Sequence, residues 1–175
     1  EKTKNTYGLK KCSSVEEYEE KCPSMKAFFK NIEGDVLFIC GGSGHISAIS
    51  LNILHSLKEK GCRIEVMYIR PDNIYLLDSK RRMHERVTFN VLQQYARSGA
   101  LERIYLIENS KVGDIVGDAY ILELNEKMNE MIVQTYHMNN VLKNSKPVNT
   151  TLSTPGEASR ITNFGFMIFE KGEEK

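Results

Sequence analysis

Cys40-Gly41-Gly42-Ser43-Gly44-His45 is the stretch whose residue types and spacing are best suited to chemistry. Three glycines in four residues let a backbone come close to an anion and take dihedrals that other residues avoid. If a helix starts just after the turn, its free N–H groups and its dipole face the same point. The dipole alone favours a phosphate there by roughly 0.3–1 kcal/mol. Ser43 adds a hydroxyl donor, and His45 beside a phosphate could act as an acid or an electrostatic stabiliser. A glycine-rich turn between a strand and a helix also arises from tight packing alone, and a His on a loop flank from structural needs. The stretch is neither of the common phosphate fingerprints. No Lys-Ser or Lys-Thr follows it, and His45 to Ser47 supplies no third glycine of a dinucleotide motif.

The elements needed to position such a turn are legible around it. Asp35-Val36-Leu37-Phe38-Ile39-Cys40 is a continuous apolar run ending in glycines, which predicts a buried parallel strand. Ile49, Ile53, Leu54 and Leu57 recur at helical spacing over 46–60, with Gly61 as a stop. A second strand is expected over 62–69, closed by Pro71, then a helix over 78–97 with Gly99 near its end. A third strand over 103–107, a long helix over 120–143 and a final β-type run over 162–169 complete the order. Upstream, Ser13-Ser14 reads as an N-cap with Glu16 and Glu17 in the first turn, opening a helix to about 31 that Pro23 kinks or splits. Residues 1–13 read as a polar arm or ordered loop, and 144–159 as a polar loop with Pro147, Pro155 and Gly156.

Strand and helix in alternation predict an α/β fold, a doubly wound, mostly parallel sheet with helices on both faces, formed by 1–175 as a single domain. The 175 residues suffice for one core, and the net charge of +1 gives no support for a nucleic-acid surface. No apolar run reaches the ~20 residues of a membrane span, and no signal peptide is legible at the start. The four cysteines, Cys12, Cys22, Cys40 and Cys62, form no C-x-x-C pair and make no zinc pattern with the histidines. Cys40 and Cys62 lie in apolar runs and read as small buried hydrophobes. Reduced thiols point to a cytoplasmic setting, with no metal site and no membrane partner.

Several segments, taken in order over roughly residues 14 to 170, resemble the tubulin and FtsZ superfamily of filament-forming GTPases. That family carries a G-G-G-T-G-[ST]-G loop between strand and helix, and Cys40-Gly41-Gly42-Ser43-Gly44-His45 looks like a version shortened by two or three residues. Arg70-Pro71 through Lys80-Arg81-Arg82-Met83 is similar to the K-P-F-x-F-E-G-K-K-R-M segment of the bacterial members. The resemblance puts Asp78 where an acid contacts the ribose and Arg82 where an arginine reaches the nucleotide. From charge alone, that stretch is a solvated basic helix start. Ile107-Glu108-Asn109-Ser110-Lys111-Val112 resembles I-P-N-D-K-L. Leu124-Asn125-Glu126 resembles the pair whose Asn reads the guanine edge, a task suited to an amide with both donor and acceptor. From periodicity alone, Asn125 is an exposed helix residue.

What the resemblance implies is binding of GTP or GDP, with Mg2+, at Gly41, Gly42, Ser43, Gly44, His45, Asp78, Arg82 and Asn125, and head-to-tail self-assembly. Two departures limit it. Nothing in residues 1–34 matches the family's first strand and its G-Q-[AC]-G loop, so the chain corresponds to the second half of such a domain. The family's N-x-D-x-x-D loop corresponds to Asn149-Thr150-Thr151-Leu152-Ser153-Thr154, where threonines replace both acids; Glu157 is the nearest carboxylate. A hydroxyl cannot serve as a carboxylate base at neutral pH, so hydrolysis is not implied as firmly as binding. Two alternatives stand beside it: a non-enzymatic assembly protein that kept the fold, and another doubly wound enzyme using the same turn.

Overall fold

The computed structural model describes residues 5–117, 120–146 and 159–165, apart from the side chains of Ile46, Ile121 and Leu122. Its centre is a four-stranded, all-parallel sheet in the order β1 (Asp35–Gly41), β2 (Arg63–Arg70), β3 (Arg103–Glu108) and β4 (Ile161–Asn163). Each expected strand up to β3 is present within a residue or two. Of the expected run over 162–169, residues 161–163 form β4 and the part beyond 165 lies outside the described residues.

Helix α1 covers Val15–Glu20, α2 Ala48–Glu59, α3 Ser79–Arg97, α4 Asn109–Val116 and α5 Ile121–Asn144. Alternation along the strands sorts these helices into two layers. Ile64, Val66 and Tyr68 of β2, with Ile104 of β3, turn to one face and pack with Leu54 and Leu57 of α2 and Leu92 and Ala96 of α3. Met67 and Ile107 turn to the other face and pack with Val112 of α4 and Met128 and Ile132 of α5. The expectation of a doubly wound parallel α/β sheet is met.

The ends of the helices follow local chemistry. Gly61 and Gly99 sit at φ of +78° and +75° just past α2 and α3, where an L side chain would be strained. Asp78 caps α3, its carboxylate accepting from the Arg81 N–H at 2.8 Å. At its far end, α5 is tied to the sheet by Lys143, whose Nζ donates to Glu65 at 2.6 Å, and Tyr105 donates to the same carboxylate at 3.1 Å.

Three elements differ from the sequence expectation. α1 stops at Glu20, because a residue just before a proline is pushed away from the helical region, and Pro23 follows closely; 26–31 is a series of turns. Asn109–Val116 is a helix that no expectation covered; burial of Val112 against α5 offsets the weak propensity of Asn109, Ser110 and Gly113. A 3-10 turn, Asn73–Leu77, precedes α3, opened by the Asp72 side chain accepting from the Ile74 N–H.

The start of α1 supplies a titration test. Ser14 is its N-cap, and Glu17 reaches back to accept from the Ser13 N–H and hydroxyl, both at 2.8 Å, and from Lys21. The Lys21 ammonium first, then the two Ser13 donors, hold the Glu17 carboxyl down at about 2, from 4.5. A carboxyl depressed on folding stabilises the folded state above its unfolded value and loses that contribution as pH falls through the folded one. The stabilisation is therefore complete above pH 4.5 and lost towards pH 2. Carbon-detected NMR titration of the Glu17 carboxyl should give a midpoint near 2; a midpoint near 4.5 would show that the cap does not form.

Candidate functional site

The carboxyl ends of β1, β2 and β3 form one rim, and ligands of open α/β sheets bind at such a rim. The glycine turn follows β1 there. A 3-10 turn, His45–Ser47, leads from it into α2, with the Ser47 N–H and hydroxyl both donating to the Gly44 carbonyl. Gly41, Gly44 and His45 are exposed and Ser43 is half-buried. The backbone N–H groups of Gly42, Ser43 and Gly44 have no acceptor among the described residues.

The glycines serve this turn differently from the sequence expectation. None of Gly41, Gly42 and Gly44 has a positive φ, so the turn does not depend on dihedrals closed to other residues. Gly42 is buried, and a Cβ there would lie 2.0 Å from the Tyr68 hydroxyl oxygen, 2.7 Å from its Cζ and 3.2 Å from Glu85 Cγ. Gly42 is thus required by a protein side chain packed beneath the turn. The solvent side of the turn remains open.

Below it sits a group of polar side chains that sequence reasoning did not single out. Tyr68 is fully buried, its ring stacked on Phe89 at 5.2 Å, and its hydroxyl has no hydrogen-bond partner among the described residues. Glu85 of α3 is 3% exposed. Its Oε1 lies 3.3 Å from Arg70 Nε yet has no well-aligned hydrogen bond. Burial, and then the Glu85 charge, push the Tyr68 hydroxyl well above its ordinary value, so it is a neutral donor. Burial also raises the Cys40 thiol to about 12, which keeps it protonated and inert. His84 of α3 meets His45 edge to face, with ring centroids 6.3 Å apart. The helical stripe Glu85, Thr88, Leu92, Ala96 was a signal in the sequence that Glu85 faces inward.

The layers give the rim a further feature. β1 and β2 both send their outgoing chain to the α2 and α3 layer, whereas β3 sends its own to the α4 and α5 layer. At that end of the two strands Arg70 is paired in register with Glu108. Lys111, 2.8 Å away, holds the Glu108 carboxyl below its ordinary range, with lesser help from Arg70 and Asn163.

The remaining sequence candidates are distributed as follows. Asp78 is at the rim but engaged as the cap of α3. Arg82 is exposed on the first turn of α3, next to Lys80 and Arg81, and Arg81 lies over the Tyr75 ring at 5.8 Å. Asn125 is exposed near the amino end of α5, in the layer on the other face. His84 brings the start of α3 to the glycine turn, and Asn125 stands on the opposite layer from both. The threonine loop at 149–154 and Glu157 lie outside the described residues. Among the described residues no three His, Cys, Asp or Glu side chains gather as a metal site. A cavity of about 480 Å³ lined by Asp35, Arg63, Glu65 and Tyr136 lies at the amino ends of the strands, the end away from the glycine turn.

Fold and rim together define a parallel α/β protein of the Rossmann-like, doubly wound class. No family model matches the chain, and a search of curated proteins returns no match. Among the described residues, no helix is long and apolar enough to cross a membrane.

The contact under the turn is directly testable. Gly42→Ala should lower stability by about 1–3 kcal/mol, the usual range for overpacking, because Tyr68 and the turn must separate. Tyr68→Phe should leave stability equal or raise it, since it removes a buried hydroxyl with no partner among the described residues. Urea unfolding followed by circular dichroism reads both; a Gly42→Ala protein as stable as the parent would show that the contact is not close.

Proposed function

We propose that the chain is a tubulin-like nucleotide-binding protein of the cytoplasm, with GTP or GDP as its ligand and head-to-tail assembly as its activity. The observation that carries the reading is the glycine turn at the carboxyl rim, its N–H groups without acceptors among the described residues and its helix α2 pointing at the same place. These donors fit a phosphoryl group. The sequence resemblance supplies the guanine, through Asn125, the ribose contact, through Asp78, and the self-assembly. Asp78 is held by its own helix and Asn125 stands apart from the turn, so phosphate is the best-supported part of the ligand.

Assembly has support of its own. Ile74, Tyr75 and Leu77 before α3, with Met83 and Val87 on it, are all more than half exposed, and an apolar group of that extent marks an interaction surface. Mg2+ would accompany the phosphates as a counter-charge. Hydrolysis is not part of the proposal, because the corresponding acids are threonines.

Gly42 favours a second reading. Its lack of a side chain is fully explained by Tyr68, as a protein that kept the fold as a structural module would require. Calorimetric titration of the intact chain with GTP and Mg2+, paired with sedimentation, separates the two. Saturable heat with nucleotide-dependent pelleting is expected. Pelleting that ignores nucleotide, with a flat titration, would establish the structural reading instead.

A further inference from the structure

We infer that Arg70, held in place by the buried Glu85 carboxylate, is the cationic ligand for the phosphoryl group at this rim. This rests on the nucleotide reading above and adds a residue and a position to it. Three observations bear on Arg70.

The first is topological. The chains leaving β2 and β3 part to opposite faces of the sheet, and Arg70 is the last residue of β2 at the carboxyl rim. β1 and β2 are neighbours with Gly41 paired to Ile69, so the glycine turn and Arg70 leave the sheet side by side. The amide donors of the turn and the guanidinium therefore border the same stretch of rim.

The second is the state of Glu85. A carboxylate only 3% exposed is costly unless it is paired. Its cation is Arg70, engaged through Nε at 3.3 Å. A guanidinium offers five donors in a planar fork, and a carboxylate at Nε leaves the terminal nitrogens for another anion. The Arg70 side chain is 43% exposed, so its free end reaches solvent while its inner edge is fixed.

The third is the buried Tyr68 hydroxyl beneath Gly42, which lacks a hydrogen-bond partner among the described residues and lies beside the Glu85 side chain. Interiors seldom leave such groups unmatched without a functional reason. Glu85 costs the fold a charge, and what it does in return is aim Arg70 at the rim. Around it the start of α3 carries Lys80, Arg81, Arg82 and Arg86. Cations at a helix amino end oppose the dipole, and a bound phosphate would relieve that opposition. Arg82, which the resemblance pointed to, belongs to this diffuse set; Arg70 is the one with a buried carboxylate beside it.

Glu85 is a positioning residue, acting through Arg70. The test uses the full chain, inorganic pyrophosphate and GTP as separate probes, and calorimetry. Arg70→Ala should weaken both probes at least tenfold, and Arg70→Lys several-fold, since a point charge cannot hold the carboxylate and phosphate together. Glu85→Gln should weaken binding about threefold. Combined with Arg70→Lys it should add nothing, because once the guanidinium is gone Glu85 has no fork left to orient; additive losses would assign Glu85 a merely structural role. If Arg70→Ala alone fails to fold, Arg70→Ala with Glu85→Gln removes the stranded charge and carries the same expected loss. An Arg70→Ala protein binding within twofold of the parent would overturn this inference while leaving the nucleotide reading intact. A parent chain that binds neither probe would overturn both.

Discussion

Parallel strands joined by crossover helices must cover both of their faces, and β2 meets that demand most fully. Ile64, Val66 and Tyr68 are sealed by α2 and α3, Met67 and Ile69 by α4 and α5. β3 shares the arrangement, with Ile104 on one side and Ile107 on the other. β1 is less completely covered, and its Ile39 is 53% exposed. The layers differ in how they are attached. α2 and α3 are bound through a continuous apolar core, whereas α5 adds the Lys143, Glu65 and Tyr105 group at its far end.

Because β2 is sealed, whatever chemistry it supports must emerge at its end. Tyr68 is the last fully buried residue of the strand, and the Arg70 side chain reaches solvent. Between them the strand passes from a dry core to the rim within two residues. Tyr68 packs against the glycine turn from below, and Glu85 lies beside Arg70, 3.3 Å from its Nε. The turn is thus defined by side-chain packing on one surface and free backbone donors on the other. A bend whose underside is filled moves little, and a rigid set of donors loses little freedom on meeting an anion.

The proposed nucleotide reading draws unevenly on the rim. The phosphate part has backbone donors and a cation behind it. The base and sugar part has Asp78 and Asn125, one committed to its own helix and the other on the second layer. Ile74, Leu77 and Met83, before and on the first turns of α3, are exposed apolar side chains.

Much of this was legible because it is local. The run Val36 to Cys40, the helical period through Leu57, the Gly61 stop, the Asp78 cap and the uninterrupted α5 all depend on residues within a few positions of one another. The helix expected to about 31 ends at Glu20, before Pro23, and α4, to which the local pattern assigns no element, draws its helicity from Val112 reaching α5. The sequence by itself determined the alternation of strands and helices, hence the class of fold, and the glycine turn at a strand's end, since hydrophobic period and turn chemistry are written in short segments. Only the tertiary structure decided which strands adjoin, on which face each helix lies, that Gly42 answers to Tyr68, and that Arg70 and Glu85 meet at the rim. Those are contacts between distant segments, set by how layers cover a sheet, and no local period records them.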